Sequence, residues 1–183
     1  MMDERTLLAR AREWDTHALA QIYDIYSPRL YRYAMRLLGD EDAAEECVAE
    51  TFSRFLHALH NGKGPQRALQ AYLYRIAHNW ITDFYRQHRP HEDLDDHERT
   101  LPEKGLNPEE FATHRWQQEQ VRAMLRQLTP EQRQVIVLKF LEGWSNAEIA
   151  EALEKPVGAV KALQHRALAR LRQLLSHWEA HYV

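Results

Sequence analysis

Residues 145–175 read SNAEIAEALEKPVGAVKALQHRALARLRQLL, and this stretch decides the fold of the C-terminal part of the chain. Ser145 and Glu148 have the spacing of a capping box, which predicts a short helix that ends near Leu153. A tight connection follows, and apolar periodicity predicts a longer helix from Val157 onward. Two helices joined in this way are typical of a helix-turn-helix, in which the second helix enters the major groove of DNA.

The second helix of this pair has an apolar face and a basic face. The stripe predicted to be buried consists of Val157, Val160, Ala167, Leu171 and Leu174. The opposite face carries Lys161, Ala162, His165, Arg166 and Arg172. The first three of these lie near the helix start, where base edges are read, and the two arginines are better placed for phosphates. An ordinary helical hairpin with a solvated basic face is the alternative interpretation.

Composition extends the helical prediction to the whole chain. The 183 residues include 22 Ala and 23 Leu but only 6 Gly, which favours helices over a β-sandwich or barrel. The longest apolar runs, such as 135–138, have four residues, too few to span a membrane, and the first residues lack the pattern of a secretory signal. The single cysteine, Cys47, excludes an intramolecular disulfide and a multi-cysteine zinc site. We therefore expect a cytoplasmic all-α protein without membrane insertion.

Charge is segregated along the chain, although the net charge is only −3. Residues 61–90 carry a net charge of +4, and residues 91–110 carry −6. A local basic stretch, rather than the whole-chain total, determines attraction to phosphate. The acidic stretch has few apolar side chains and predicts a flexible linker. The expected organisation is a first helical domain over 1–88, the acidic linker over 89–108 and a helix-turn-helix domain over 109–183.

Capping and breaking residues predict the other helices. In the first domain these helices lie over 4–12, 16–38, 41–60 and 66–87, with a bend at Pro28 in the second of them. In the second domain, helices are predicted to start at Asn107-Pro108 and at Thr129-Pro130, and the latter helix is expected to end near Gly143.

The fourth helix of the first domain has two distinct faces. Its predicted buried face consists of Leu69, Leu73, Ile76, Ala77, Trp80 and Phe84. Its predicted exposed face carries Tyr72, Arg75, His78, Asn79, Thr82, Asp83 and Arg86. Aromatic, amide and guanidinium groups on one exposed face suit stacking on unpaired bases together with phosphate contacts. A plain solvated surface is the alternative, and Trp80 and Phe84 are expected in the core rather than against bases.

Four blocks of sequence, taken in order, resemble one family. They are 23–31 (YDIYSPRLY), 44–52 (AEECVAETF), 74–86 (YRIAHN, then Asp83 and Arg86) and 128–167, which begins LTPEQR and includes the helix-turn-helix. With an acidic segment before the last block, they resemble the extracytoplasmic-function (ECF) group of bacterial RNA polymerase sigma factors, in the sigma-70 family. The resemblance covers nearly the whole chain.

This resemblance implies three binding surfaces. Core RNA polymerase, through the basic coiled coil of its clamp, would meet Asp42, Glu45, Glu46 and Glu50. Single-stranded DNA of the minus-ten promoter region would bind to Asn61, Lys63, Tyr72, Arg75, His78, Asn79, Asp83 and Arg86. The duplex minus-thirty-five element would be read by Lys161, Ala162, His165, Arg166 and Arg172. The linker would thread into the polymerase's active-site and RNA-exit channel, and an anti-sigma factor is a further expected partner.

The resemblance also draws attention to Glu154, in the turn of the helix-turn-helix, because glycine is frequent there in the family. A left-handed backbone at this position would cost roughly 1–2 kcal/mol without the conformational freedom of glycine. The linker must stretch when both promoter elements are bound, so the free protein is expected to be conformationally variable or compact.

The sequence thus predicts a dissociable promoter-specificity subunit that is not an enzyme and needs no cofactor. One alternative is a free-standing helix-turn-helix regulator that binds duplex DNA without polymerase and uses residues 1–86 as a sensor. The 11 histidines, including His177 and His181 at i, i+4, raise a third hypothesis, a metal-binding or hydrolytic helical bundle. The partners of a closed metal site are not evident beside them, so no metal is expected.

Overall fold

The computed structural model describes the backbone of residues 3–88 and 108–182 and, within the second segment, the side chains of 113–177. Apart from Pro108, the predicted linker lies outside the described residues, and the predicted domain boundaries stay predictions. Every regular element in the described segments is helical, which confirms the all-α prediction. The first domain contains α1 (Glu4–Arg12), α2 (Thr16–Leu38), α3 (Glu41–His60) and α4 (Leu69–Gln87). The second contains α5 (Pro108–Arg126), α6 (Pro130–Ile136), a π-helical turn (Val137–Leu141), α7 (Asn146–Leu153) and α8 (Val157–Tyr182).

Local caps fix the first three helices where the sequence predicted them. The Asp15 carboxylate accepts hydrogen bonds from two backbone amides of the first turn of α2, at 2.9 and 3.2 Å. Asp40 accepts one at 2.7 Å at the start of α3. Gly39 ends α2 with φ of +71°, a left-handed conformation that glycine adopts without strain. Pro28 lies inside α2, which continues on both sides of it.

The start of α4 depends on a residue that is distant in sequence. Ala68, its N-cap, has no side-chain acceptor to offer the free backbone amides of the first turn. The carboxylate of Glu4, in α1, supplies one instead, accepting from Leu69 N at 2.9 Å and from Gln70 N at 3.4 Å. The Tyr26 hydroxyl donates to the same carboxylate at 2.6 Å. The helix therefore begins at residue 69 rather than at the predicted residue 66.

Two capping boxes organise the second domain. Ser145 and Glu148 form the predicted box at the start of α7, and Thr129 and Gln132 form another at the start of α6. The helix predicted to run to residue 143 instead changes to π-helical geometry after Ile136. This widened turn is a local feature that apolar periodicity does not reveal.

The buried stripe of α8 differs from the predicted one at its start. Val157 is 39% exposed, whereas Leu163, outside the predicted stripe, is 7% exposed. The fully buried positions Val160 and Ala167 flank Leu163 at spacings of three and four. Val157, the first residue of α8, lies outside this packed face. The buried side chains instead follow the helical spacing of Val160, Leu163 and Ala167.

The two domains pack against each other through α4. The rings of Tyr74, in α4, and Trp144, before α7, are 4.9 Å apart between centroids. The Arg133 guanidinium, in α6, lies 4.6 Å from the centroid of the Tyr85 ring. Buried side chains of both domains form one continuous apolar cluster. The structure therefore has the compact arrangement, one of the two expected for the free protein.

Candidate nucleic-acid and protein interfaces

An acidic surface runs along one side of α3. Asp42, Glu45 and Glu46 are exposed, while Glu50 is half-buried and its carboxylate lies 2.7 Å from Arg54 Nε. Their spacing places all four acids on adjacent turns of one helix face. The opposite face of α3 packs into the core through apolar side chains and Cys47. Burial raises the pKa of the Cys47 thiol to about 12, so this cysteine stays a neutral packing group.

The basic and aromatic surface of α4 is only partly exposed. Asn79, Asp83 and Arg86 are exposed, and the last two form an ion pair at 3.2 Å. Tyr72 and Arg75 are half-buried, and the Arg75 guanidinium lies 5.5 Å from the centroid of the Tyr72 ring. This places a flat aromatic group and a cation side by side, the pair that stacks on bases and contacts phosphates in single-strand binding proteins.

Two residues predicted on the exposed face of α4 are buried. His78 is 2% exposed and Thr82 is 8% exposed, because α4 is covered on opposite sides by the first and the second domain. His78 Nδ1 lies 2.6 Å from the Tyr33 hydroxyl, and Nε2 lies 2.9 Å from the Pro130 carbonyl oxygen. Since a carbonyl only accepts, Nε2 carries the proton and Nδ1 accepts from Tyr33. Burial lowers the pKa of His78 to about 4, which keeps the ring neutral.

The prediction for the two aromatic residues of α4 was partly wrong. Trp80 packs against the core as a half-buried side chain, but Phe84 lies at its rim. The Trp80 and Phe84 rings stack at 5.3 Å, and the other side of Phe84 stacks on His88 at 4.0 Å. The three rings form a row near the C-terminal end of α4.

The loop before α4 forms a cleft with the second domain. The cleft has a volume of about 480 Å³, and its first wall includes Lys63, Arg67, Tyr72 and Arg75. Its other wall is formed by Glu151 and Glu154. Asn61 is exposed at the end of α3, where its side-chain amide donates to the His57 carbonyl at 2.8 Å.

Arg67 is a residue of this cleft that the sequence analysis did not select. Its side chain is 91% exposed. The signal available in the sequence was its place in the basic stretch 61–90. It was missed because the helical pattern that defined the candidate residues applies only inside α4, and Arg67 lies in the preceding loop.

The predicted DNA-reading surface of α8 is exposed. This holds for all five residues selected from the sequence, Lys161, Ala162, His165, Arg166 and Arg172. A hydrogen bond of 2.8 Å from Gln164 to Asn146 joins α8 to α7 and fixes the crossing of the two helices. Glu154, between them, has φ of +53°, a left-handed backbone at a residue other than glycine.

The described residues also bear on metal binding and on membrane insertion. In the segments that the structure describes, no group of three or more His, Cys, Asp or Glu side chains is placed to hold a metal ion. None of the helices in the described part of the chain is long and apolar enough to cross a membrane.

The two domains and their surfaces define a helical DNA-binding protein of the sigma-70 type. Residues 22–91 match the Sigma-70 region 2 family, and residues 118–171 match the family Sigma-70, region 4. The first match contains the acidic surface of α3 and all of α4, and the second contains α7 and the part of α8 up to residue 171.

Comparisons with individual relatives define the group within this family. The chain is 32% identical over 170 residues to ECF RNA polymerase sigma factor BldN of Streptomyces coelicolor, covering 92% of this chain and 64% of that protein. It therefore spans less than two thirds of the length of BldN. It is 30% identical over 177 residues to ECF RNA polymerase sigma factor SigW of Bacillus subtilis, covering 92% of this chain and 94% of that protein. The chain belongs to the ECF group of RNA polymerase sigma factors in the sigma-70 family.

A solved structure shares the fold. CnrH in complex with the cytosolic domain of CnrY is 28% identical in sequence and superposes with a TM-score of 0.70. The match covers 95% of this chain and 97% of CnrH, so it includes both helical domains.

Proposed function

We propose that this sigma factor binds core RNA polymerase through α3, melts the minus-ten region through α4 and reads the minus-thirty-five element through α8. The observation that carries the proposal is the presence of all three surfaces in one chain of the ECF group. A protein with this role confers promoter specificity on the polymerase and catalyses no reaction of its own. Its place of action is the cytoplasm, where its partner, core RNA polymerase, works.

Docking to the polymerase rests on charge. Asp42, Glu45 and Glu46 project from the exposed side of α3, and the core-facing side of the helix holds them in register. A basic partner surface would gain complementary contacts here, and reversing the charges would place like charges together, which costs several kcal/mol. A free-standing regulator does not need such a surface. Binding to core RNA polymerase therefore distinguishes a sigma factor from a free-standing regulator.

The test is co-elution with core RNA polymerase in gel filtration. Glu45→Lys combined with Glu46→Lys should abolish co-elution, while circular dichroism shows unchanged helix content. The control carries the same change in charge outside α3, Glu13→Lys with Glu119→Lys, and should co-elute like the wild type. Unchanged co-elution of the α3 variant would refute docking through this surface.

Promoter melting rests on the neighbouring surface of α4. Arg75, Asn79 and Tyr72 combine a cation, an amide and a ring, and Lys63 extends this surface onto the preceding loop. We expect Asn79→Ala to impair open-complex formation more than closed-complex binding, because contacts to single strands form only after the duplex opens. Permanganate footprinting of a promoter measures the first step and filter binding measures the second. Equal losses in both would indicate a surface that only docks on phosphates.

A protein inhibitor is the third proposed partner. The related CnrH was solved in complex with the cytosolic domain of CnrY, and we propose that this chain likewise binds an anti-sigma factor. Affinity purification of the full chain from its own organism, without DNA, tests this partner. A stoichiometric protein other than polymerase subunits is the expected result.

A further inference from the structure

The first turn of α4 is held by a carboxylate from α1. Glu4 Oε1 accepts a hydrogen bond from Leu69 N at 2.9 Å, and Glu4 Oε2 accepts one from Gln70 N at 3.4 Å. Leu69 is fully buried, so water cannot replace the carboxylate at its amide. A buried amide without an acceptor costs free energy, and a negative charge at a helix N-terminus also interacts favourably with the helix dipole. The start of α4 therefore depends on Glu4.

The Glu4 carboxylate is itself fixed by two other contacts of the core. The Tyr26 hydroxyl, from α2, donates to Glu4 Oε2 at 2.6 Å. Burial, with the hydrogen bond to Glu4 as a second cause, raises the pKa of Tyr26, so the hydroxyl stays a donor. Leu7 and Leu8, one turn along α1, are buried and anchor that helix. Three helices thus meet at one carboxylate.

The loop between α3 and α4, residues 61–68, is attached at both of its ends. At the first end, Lys63 N donates to the Ala58 carbonyl of α3 at 2.8 Å. At the second end, Ala68 has φ of +54°, a left-handed conformation that is unfavourable for a residue with a Cβ atom. Such a conformation persists where the surrounding structure fixes it. The Glu4 bonds to the next two residues do so, and they set the path by which the loop enters α4.

This loop carries two cations of the proposed melting surface. Lys63 and Arg67 are exposed, and both line the cleft that Tyr72 and Arg75 of α4 also line. Phosphates of an unpaired strand can meet the loop and α4 together only if the loop is held in register with the helix. Glu4 is the side chain that fixes this register, although it lies outside the residues 22–91 that match Sigma-70 region 2.

We propose that Glu4 is a positioning residue for promoter melting. By holding the first turn of α4, it sets the path of the loop over 61–68 and so determines where Lys63 and Arg67 meet the unpaired strand. In this role Glu4 acts through the loop, because its carboxylate is bonded to the protein rather than to DNA. The inference rests on the proposed function of α4. It assigns to α1 a part in opening the promoter, separate from docking by α3.

The test compares Glu4→Ala with Glu13→Ala, which removes the same side chain from an exposed position at the end of α1. With core RNA polymerase and a promoter fragment, Glu4→Ala should lower the opened fraction in permanganate footprinting about two- to thirtyfold, the factor expected for loss of a helix cap. Closed-complex binding and co-elution with core polymerase should match the wild type. Glu13→Ala should match it in all three measurements. An unchanged opened fraction, or an equal loss in closed-complex binding, would overturn the proposal.

Hydrogen exchange separates positioning from general damage to the fold. In Glu4→Ala, the amides of Leu69 and Gln70 should exchange faster, while the amides of α3 remain protected as in the wild type. Faster exchange throughout the first domain would show that Glu4 only stabilises the fold, and this result would refute its positioning role.

A second variant tests whether Tyr26 acts through the same carboxylate. Tyr26→Phe keeps the buried ring and removes the hydroxyl, so it should reduce promoter opening in the same direction but less than Glu4→Ala. Combined with Glu4→Ala, it should add no further loss, because the two residues belong to one hydrogen-bond network. Additive losses would contradict the network.

The Asn79→Ala variant distinguishes failure of this inference from failure of the proposed function. If Asn79→Ala impairs opening and Glu4→Ala does not, only the positioning role of Glu4 is refuted. If neither impairs opening, melting through α4 is refuted, and the role of Glu4 is refuted with it.

Discussion

His78 connects the two domains through the two nitrogens of a single ring. It accepts a hydrogen bond from Tyr33 in the first domain and donates one to the Pro130 carbonyl in the second. A protonated ring would have to donate from both nitrogens inside a buried site, with Arg133 as a neighbouring cation. The closed arrangement therefore depends on a neutral His78.

Acid should weaken the folded, closed protein through this residue. The pKa of His78 falls from 6.5 to about 4 on burial, so the unfolded chain binds more protons between these values and stability is lost as the pH decreases through them. From pH 7 to pH 5 the loss is about 2 kcal/mol. His78→Gln retains a donor and an acceptor but does not titrate, so its free energy of unfolding should change less over this range. Urea denaturation at several pH values measures the difference, and parallel profiles for the two proteins would contradict the assignment.

The residues of α8 should separate into two functional types. Lys161 lies near the helix start, where we expect it to reach guanine acceptors, so Lys161→Ala should cost about 1–3 kcal/mol and relax preference at one or two base pairs. Arg172 lies further along the helix, where we expect it to contact phosphate, so Arg172→Ala should weaken binding equally on all sequences and reduce the salt slope by about one. A panel of point-mutated upstream elements distinguishes the two. A flat profile for Lys161→Ala would show that α8 does not read bases through it.

At the scale of elements, the helix-turn-helix depends on the capping box at the start of α7. The Ser145 hydroxyl accepts from Glu148 N at 3.2 Å, and the Glu148 carboxylate accepts from Ser145 N at 2.7 Å. Ser145→Ala should lower the free energy of unfolding by about 1 kcal/mol. Ser53→Ala is the control, because Ser53 is exposed in the interior of α3, where alanine is the better helix former. Chemical denaturation of both variants gives the comparison, and equal stabilities would exclude the cap as a significant contribution.

Helices whose starts are fixed by neighbouring residues were predictable from the sequence. A helix whose start depends on a residue distant in sequence was not. The Asp15, Asp40 and Ser145 caps are each encoded within four residues, and α2, α3 and α7 begin where expected. The start of α4 was placed three residues early because its cap is Glu4, more than sixty residues away. The π-helical turn was missed for a related reason. Its bonds differ from those of an α-helix by one residue in register, and apolar spacing is insensitive to that difference.

In the whole molecule, the sequence predicted which residues share a helix face. It did not predict which of these faces stay exposed when the two domains pack together. The five residues of α8 are exposed because nothing in the described chain packs on that side of the helix. His78 and Thr82 were assigned to an exposed face because a helical pattern contains no information about a second domain that covers α4. For the same reason, Glu151 was not selected from the sequence, and Glu154 was selected for its backbone conformation but not for a contact with α4.

This protein gives core RNA polymerase its promoter specificity, and run-off transcription tests that role most directly. Core polymerase, the full-length protein and a library of genomic fragments from the same organism should give transcripts with discrete start sites. Omitting the protein, or replacing it with Glu45→Lys plus Glu46→Lys, should remove those transcripts. Specific binding to duplex DNA without polymerase, together with no discrete transcripts in the presence of polymerase, would contradict this role and favour a free-standing regulator.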